Sequence, residues 1–500
     1  MDTAALKKVI AAFLAAAMTV SLAACSTKTG ADGSEKDNPS VDEGVTTEAV
    51  TEITPDLPDN LNFGGEQINI WYFTQNSDAA ERFVDIQGDL NGDIVDEALY
   101  NRNAIVEEKL NVDLVFTDTG VFSSDVGNAI RSMVMSGDTT YDIYNIIQWN
   151  SAILVTEGMY RNLYNLPYVD IDKPWWSDYY INEVNIGRNN RYFLCGDISI
   201  DMIRCIGCMY FNKVLFNDYY GDPDQMYQTV LDGQWTIDKL HAYAKDVYSD
   251  INTNDSIDKD DQFGLMLNNY NNIDVLFYGA GLRVTDRDEE NVPYLILNNE
   301  RTASAIEAIY NLCYDNPGTW LGSPADNNLA FNNGYSLFLM GFLYTSEQLR
   351  NMEQDYGIIP SPKFEETQKD YAAVVHDIAI LTCLPQSVPN EKLEAIGATL
   401  ELMAYESYKT VTPAYYETAM KTKYTRDALS SQIIDLLHDS YMTDIAYVFG
   451  SSFQNLGYIG REMISNRQNN FASFYSKREK AAIKMMEKLI KTYQDLENQQ

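Results

Sequence analysis

Histidine is nearly missing from this chain, with three in 500 residues. No HExxH, GxSxG or GxxxxGK[ST] pattern occurs. Zinc-hydrolase, serine-hydrolase and P-loop chemistry therefore have no sequence support. Paired carboxylates stay open, because a chain with 73 acidic residues contains many. Basic residues are short as well: 36 Lys and Arg leave a net charge of −37. A chain so acidic repels phosphates and bare anionic lipid, which argues against a nucleic-acid partner. Cysteine is scarce too. Once Cys25 is set apart, Cys195, Cys205, Cys208, Cys313 and Cys383 are an odd set, so no tidy disulfide framework fits. Cys205-Ile-Gly-Cys208 has CxxC spacing but lies in an apolar run that reads as strand. Buried thiols or a local disulfide suit it better than a redox centre, and a lone CxxC is a poor zinc site. No repeat period is evident. The apolar run Val9–Leu22 is too short to cross about 30 Å of hydrocarbon as a stable helix.

That run belongs instead to an export signal. Lys7 and Lys8 precede it, and Leu22-Ala23-Ala24-Cys25 closes it. Small residues followed by cysteine resemble the lipobox of bacterial lipoproteins. The resemblance implies that residues 1–24 are removed and that Cys25 carries diacylglycerol. The chain is then expected on the outer face of the cell membrane, lipid-anchored. Losing Asp2, Lys7 and Lys8 takes the net charge from −37 to −38. Residues 25–62 hold no aromatic side chain and are rich in Thr, Asp, Glu, Ser and Pro, as a disordered acidic tether would be. The fold is expected to begin at residue 63.

From there, strand and helix patterns alternate. Gln67–Phe73 reads as a strand, and Asp93 as the cap of a helix with Val95, Leu99, Arg102, Val106 and Leu110 on one face. Asn111–Thr117 is a second strand, Ser124–Met135 a helix stopped by Gly137, and Tyr141–Gln148 a third strand, apolar almost throughout. This order predicts an α/β body with a parallel sheet. Further strands are expected at Tyr192–Ser199, Cys208–Asn212 and Asp377–Leu384. Further helices are expected from Thr236 to about Tyr248, at Glu300–Tyr314, Ser346–Met352 and Asn390–Tyr405, and as one long helix at Phe471–Leu496.

Several segments, in order, resemble the extracellular solute-binding proteins of bacterial ABC importers, of the maltose-binding-like class. They are Tyr210-Phe-Asn-Lys213, Gly233-Gln-Trp-Thr236, Ala330-Phe-Asn-Asn-Gly334, Tyr356-Gly-Ile-Ile-Pro-Ser-Pro362, and Thr412-Pro-Ala-Tyr-Tyr-Glu417 with Lys423-Tyr-Thr-Arg-Asp427. The resemblance spans Gln67 to Tyr493. It implies a periplasmic-binding-protein-like type II fold: two α/β lobes joined by crossing strands around a ligand cleft. The N-terminal lobe would take 63–200 plus 376–418, and the C-terminal lobe 201–375 plus 419–500. Crossings are expected near Asp197–Cys205, Val374–Asp377 and Tyr415–Lys423. The implied role is a monomeric, non-enzymatic receptor that captures a solute, most simply an oligosaccharide, and hands it to permease subunits. A peptide or polyamine receptor, and a surface polysaccharide hydrolase with two carboxylates, stand as rivals.

Two constellations carry candidate chemistry. Asp250, Asn252, Asn254, Ser256, Asp258 and Asp261 fall at positions 1, 3, 5, 7, 9 and 12 of a loop with EF-hand ligand spacing. One structural Ca2+ is expected there. Asp255 in place of the turn glycine and Asp261 in place of the bidentate Glu depart from that pattern, and a plain acidic loop is the rival reading. Asp89–Asp93 only mimics such a loop and reads as a turn with a helix cap. The second constellation is aromatic, with 35 Tyr and six Trp. Sugar rings pack C–H faces on aromatic rings while Asp, Asn and Arg bond their hydroxyls. Trp149, just past the third strand, stands where open α/β sheets place ligands. Trp175 and Trp176 lie in an irregular segment. Tyr344 is where the class often places a stacking aromatic. Asp201 and Arg204 at the first crossing and Tyr415 at the last complete the candidate set.

Overall fold

The structure is a computed structural model and describes residues 53–74, 85–421 and 428–498. Cys25 and the 423–427 motif lie outside them. Strands β1 (Glu66–Tyr72), β2 (Val112–Asp118) and β3 (Ile143–Ile147) run parallel, with β1 in the middle. Ile70 of β1 faces Phe116 on one side and Ile143 on the other. Helix Ile94–Leu110 makes the first crossover. Asp93 caps it, its carboxylate accepting from the amides of Val95 (2.9 Å) and Asp96 (3.3 Å). Val95, Leu99, Arg102, Val106 and Leu110 form its buried stripe. Helix Val126–Met135 makes the second crossover.

A second sheet follows. It is built from β4 (Gly207–Asn212), β5 (Phe263–Leu267), β8 (Thr319–Leu321), β9 (Ser336–Phe342) and β10 (Tyr356–Pro360), in the order β10-β4-β9-β5-β8. A small hairpin, β6 (Thr285–Arg287) and β7 (Pro293–Leu295), stands apart. Strands β9, β5 and β8 are parallel, while β4 is antiparallel to both its neighbours. The chain then returns. β11 (Ala373–Val374) is followed by β12 (Ile380–Cys383), which joins the first sheet antiparallel to β3. β13 (Tyr441–Met442) pairs with β11 in parallel. Segment 373–383 therefore ties the two sheets: Val375 bridges to Ile206 beside β4, and the His376 amide donates to the Cys205 carbonyl. This is a mixed α/β fold. No helix among the described residues is long and apolar enough to cross a membrane.

Several expectations need correction. Tyr192–Ser199 forms no strand, only single bridges from Leu194 to Thr382 and from Gly196 to Trp176. Gly196, at φ 151°, lies so close to the Trp175–Trp176 backbone that a Cβ there would stand 2.3 Å from the Trp175 carbonyl oxygen. The segment expected as the first crossing contains the short helix Asp201–Arg204 rather than a strand. Thr412–Lys421 is a helix, so the described part of the segment expected as the last crossing holds no strand; the next strand along the chain is β13, paired with β11. The C-terminal helix is two, Phe471–Ser476 and Glu479–Glu497, parted where the Arg478 amide bonds back to the Tyr475 carbonyl in a tight turn. Helix Ile237–Lys245 stops short of Tyr248, and Thr345–Gln348 replaces the longer helix expected there. Cys195, Cys205, Cys208, Cys313 and Cys383 are all free and buried, and burial raises the pKa of each thiol. They are inert core thiols.

Candidate functional site

Strand ends decide where a ligand can sit. In open α/β sheets the carboxyl ends of parallel strands leave backbone groups and loops facing a crevice. At the carboxyl end of β3 stands Trp149, half-buried. Its amide donates to the Asp377 carbonyl at 3.1 Å, and Gln148 Nε2 donates to the His376 carbonyl at 3.1 Å. At the carboxyl end of β5, the run Asn268-Asn269-Tyr270-Asn271 turns into helix Asn271–Gly279. Asn271 Nδ2 lies 2.8 Å from His376 Nε2. Residues His376 and Asp377 thus touch the carboxyl ends of strands from both sheets.

Arg461, from helix Ile459–Ser465, closes this corner. Its guanidinium lies 4.2 Å from the Tyr270 ring centroid and 4.4 Å from that of Tyr458, and pairs with Asp274 and, at 3.4 Å, with Asp377. Burial pulls its pKa down to about 10, against the pull of Tyr270. Beside Tyr270 opens a cavity of about 410 Å³, lined by Asn268, Asn269, Tyr270, Asn271, Leu321 at the end of β8 and residues 322–324 after it. None of its lining residues is charged.

The expected binding residues divide three ways. Trp149 stands at this corner. Asp201, Arg204, Tyr344 and Tyr415 come together in a neighbouring cluster, but they spend themselves on one another. Arg204 forms a two-point pair with Glu347 (2.9 and 3.0 Å) and a further bond to Asp201 (2.8 Å), and the Tyr415 hydroxyl donates to Glu347 at 3.1 Å. Burial alone would lower the Arg204 pKa, but Glu347 and Asp201 more than offset it and hold the cation charged. Burial pushes the Asp201 carboxyl and the Tyr415 hydroxyl up. Tyr344 donates its amide to the Arg204 carbonyl, and its ring lies stacked on Phe342, which in turn packs on His376. This cluster is an internal ionic brace.

Trp175 and Trp176 form the third group and require a correction. They are 0% and 4% exposed, and both indoles donate to one buried carboxylate, Glu401, at 3.1 and 2.8 Å. They leave no ring face open to a solute. The apolar character of the Pro-Trp-Trp stretch did not distinguish platform from core. Burial raises Glu401 to about 7 despite the two indole donors. Tyr270, Arg461, Glu347 and Glu401 were missed by sequence reasoning. Tyr270 had a signal: it stands three residues past the end of β5, as Trp149 stands two past the end of β3. Arg461 had none, being far off in the chain.

The Asp250–Asp261 loop is pinned at its base, where Ser249 and Gln262 exchange amide bonds of 3.0 and 2.9 Å. Asp255, at the expected glycine position, has φ 58° and so takes the left-handed conformation itself. Asn252 and Asn254 donate to Asp258 at 3.1 and 2.7 Å. Asp261 is fully buried. One of its oxygens accepts from the Asp258 amide and the Tyr248 hydroxyl, while Oδ1 has no partner. No group of three or more His, Cys, Asp or Glu is gathered for a metal among the described residues, so a cation here would depend on Asn and carbonyl oxygens as well.

No family model and no curated protein matches the chain. Solved structures do match it. An ABC substrate-binding protein from Listeria monocytogenes in complex with cycloalternan is 11% identical, with a TM-score of 0.53, over 84% of this chain and 99% of that one. A cyclo/maltodextrin-binding protein complexed with maltotetraose is 12% identical, with a TM-score of 0.54, over 88% and 98%. The maltose/maltodextrin-binding domain from Bdellovibrio bacteriovorus bound to maltotriose is 14% identical, with a TM-score of 0.51, over 86% and 100%. The chain therefore has the fold of ABC-transporter substrate-binding proteins along nearly all of its described length.

Proposed function

We propose that this protein is the substrate-binding component of an ABC importer, that it captures a carbohydrate, and that it is not an enzyme. The observation that carries this reading is the corner at His376–Asp377. There an aromatic ring from each sheet, Trp149 and Tyr270, stands at a strand's carboxyl end. Aromatic faces with neutral amides suit a polyhydroxylated ring. Structures of the same fold hold cycloalternan, maltotetraose and maltotriose. The two sheets would belong to two lobes that close on the solute, with segment 373–377 in the hinge, before delivery to a permease. The test is a thermal-shift and calorimetry panel of oligosaccharides, peptides and polyamines. Stoichiometric sugar binding without reducing-sugar release supports the reading. A tight peptide ligand, or turnover of a polysaccharide, sinks it.

Two further features belong to this reading. The lipobox-like Leu22–Cys25 supports a lipid anchor at Cys25, so Cys25→Ser should release the protein into the soluble fraction, and a variant that stays membrane-bound refutes it. The Asp250–Asp261 loop would hold one structural calcium, supported by its ligand spacing, the left-handed Asp255 and the unpartnered Asp261 oxygen. Chelation should then lower the melting temperature by a few degrees, and Asp250→Ala should abolish that response. A chelation-insensitive wild type leaves an acidic loop.

A further inference from the structure

We propose that the exposed lysine row of helix Glu479–Glu497 is a docking surface for anionic phospholipid headgroups, and that it seats the body on the membrane. The proposal rests on the lipid-anchor reading above and adds a second point of attachment, far along the chain from Cys25. Residues 477–491 carry six basic side chains against two acidic ones, in a chain with 36 basic and 73 acidic residues. Lys480, Lys484, Lys488 and Lys491 follow one another at helical spacing. At 3.6 residues per turn they fall within an arc of roughly 80°, over about 17 Å of helix. All four are exposed, and Asp495, one turn on, ends the row. The opposite face, Ala482, Met486, Leu489 and Tyr493, is buried. The Tyr493 ring stands edge-on to Tyr192, centroids 5.6 Å apart. The row therefore points outward from a helix fixed to the body. With its apolar face already packed, the helix can meet a surface by charge but not by insertion.

Within the chain the row is unfavourable. Like charges three and four residues apart on a helix repel. None of the four lysines forms an ion pair among the described residues. An anionic surface outside the chain relieves that repulsion. The net charge of −37 does not cancel the row. Acidic groups more than about 8 Å away are largely screened at physiological salt, so the local face decides contact. Lipid is the favoured partner because of where the chain would be held. With Cys25 in the membrane, residues 25–62 as a polar linker would keep the fold within roughly 35 Å of the headgroups. Effective concentration then reaches the millimolar range, and even a weak contact is populated. A soluble acidic partner has no such advantage. Without the anchor the row is a weak, salt-reversible contact, so Cys25→Ser still releases the chain on fractionation.

The experiment is co-sedimentation of residues 25–500, carrying Cys25→Ser, with phosphatidylglycerol and with phosphatidylcholine vesicles. That chain lacks both the lipid and the apolar export segment. It is compared with two variants of itself: Lys484→Glu with Lys488→Glu, and Lys245→Glu with Lys369→Glu. The second pair changes charge equally at exposed lysines outside the row. Binding to phosphatidylglycerol is expected at about 0.1 M salt and is lost at about 1 M, where the Debye length is about 3 Å. No binding to phosphatidylcholine is expected. The row variant should bind at least about tenfold more weakly, and the control within about threefold of the parent. Unchanged melting temperatures show that both variants are folded. Equal weakening in the two variants, or equal binding to the two lipids, overturns the proposal. So does an absence of vesicle binding; salt-sensitive self-association in ultracentrifugation, abolished by the row variant alone, would then assign the row to the acidic surface of a second copy. The anchor is judged separately. Membranes from cells making the wild type, washed at about 1 M salt, retain the protein if Cys25 carries lipid and shed it if not, whatever the vesicles show.

Discussion

Trp149 and the pair Trp175–Trp176 look alike in the sequence, yet they occupy opposite kinds of place. Each is an aromatic residue just outside regular structure. Trp149 is half-buried at the carboxyl end of β3, its side chain packed in part against the core and its backbone amide bonded to the Asp377 carbonyl. Trp175 and Trp176 are packed out of solvent, with both indole hydrogens committed to Glu401 and the Trp175 ring edge-on to Tyr405, centroids 5.0 Å apart. A tryptophan can stack on a ligand only when its ring is left unfinished by the protein. Distance along the chain from a parallel strand's end separates the two cases better than aromatic composition does. Tyr270, at the end of β5, belongs with Trp149 by the same rule.

The sharpest way to break this comparison is to remove a ring from each place. Trp175→Ala should cost about 3–5 kcal/mol of stability, because it opens a cavity and strips a donor from a buried carboxylate. Urea unfolding checks it, and a loss below about 1 kcal/mol would return Trp175 to the surface class.

Next comes the carboxylate beneath the pair. Glu401 ordinarily titrates at 4.5 but in the fold holds its proton to about 7. Between those pH values the folded state binds more protons than the unfolded one. Its contribution is therefore fully present below 4.5, is lost as pH rises, and is gone above about 7. Asp197, raised to about 6 by burial, acts in the same direction over a narrower window. Comparing wild type with Glu401→Gln at pH 5 and pH 8 should show a stability decline smaller in the variant, by on the order of 3 kcal/mol. Equal declines would mean that Glu401 is ionised throughout.

The smallest stability effect is expected at the open ring. Trp149→Ala should leave the urea midpoint within about 1 kcal/mol of wild type while weakening the identified sugar about ten- to a hundredfold. A variant that unfolds like Trp175→Ala would merge the two regions into one core.

The sequence alone determined the local elements of the first sheet. Asp93 as a cap, the stripe from Val95 to Leu110 and the apolar run of β3 follow from short-range periodicity and capping, which act within a few residues. The position of Trp149 past the end of β3 was legible because a strand end can be read locally. The order of motifs pointed to the fold that the solved structures share. Tertiary structure decided the rest. It closed Asp201, Arg204 and Tyr415 into a brace with Glu347, a partner more than 140 residues beyond Arg204. It buried Trp175 and Trp176 on Glu401, and it set Arg461 behind Tyr270 from 191 positions away. Such pairings are fixed by how elements distant in the chain pack, and no local pattern encodes which charge or ring will be left without a partner.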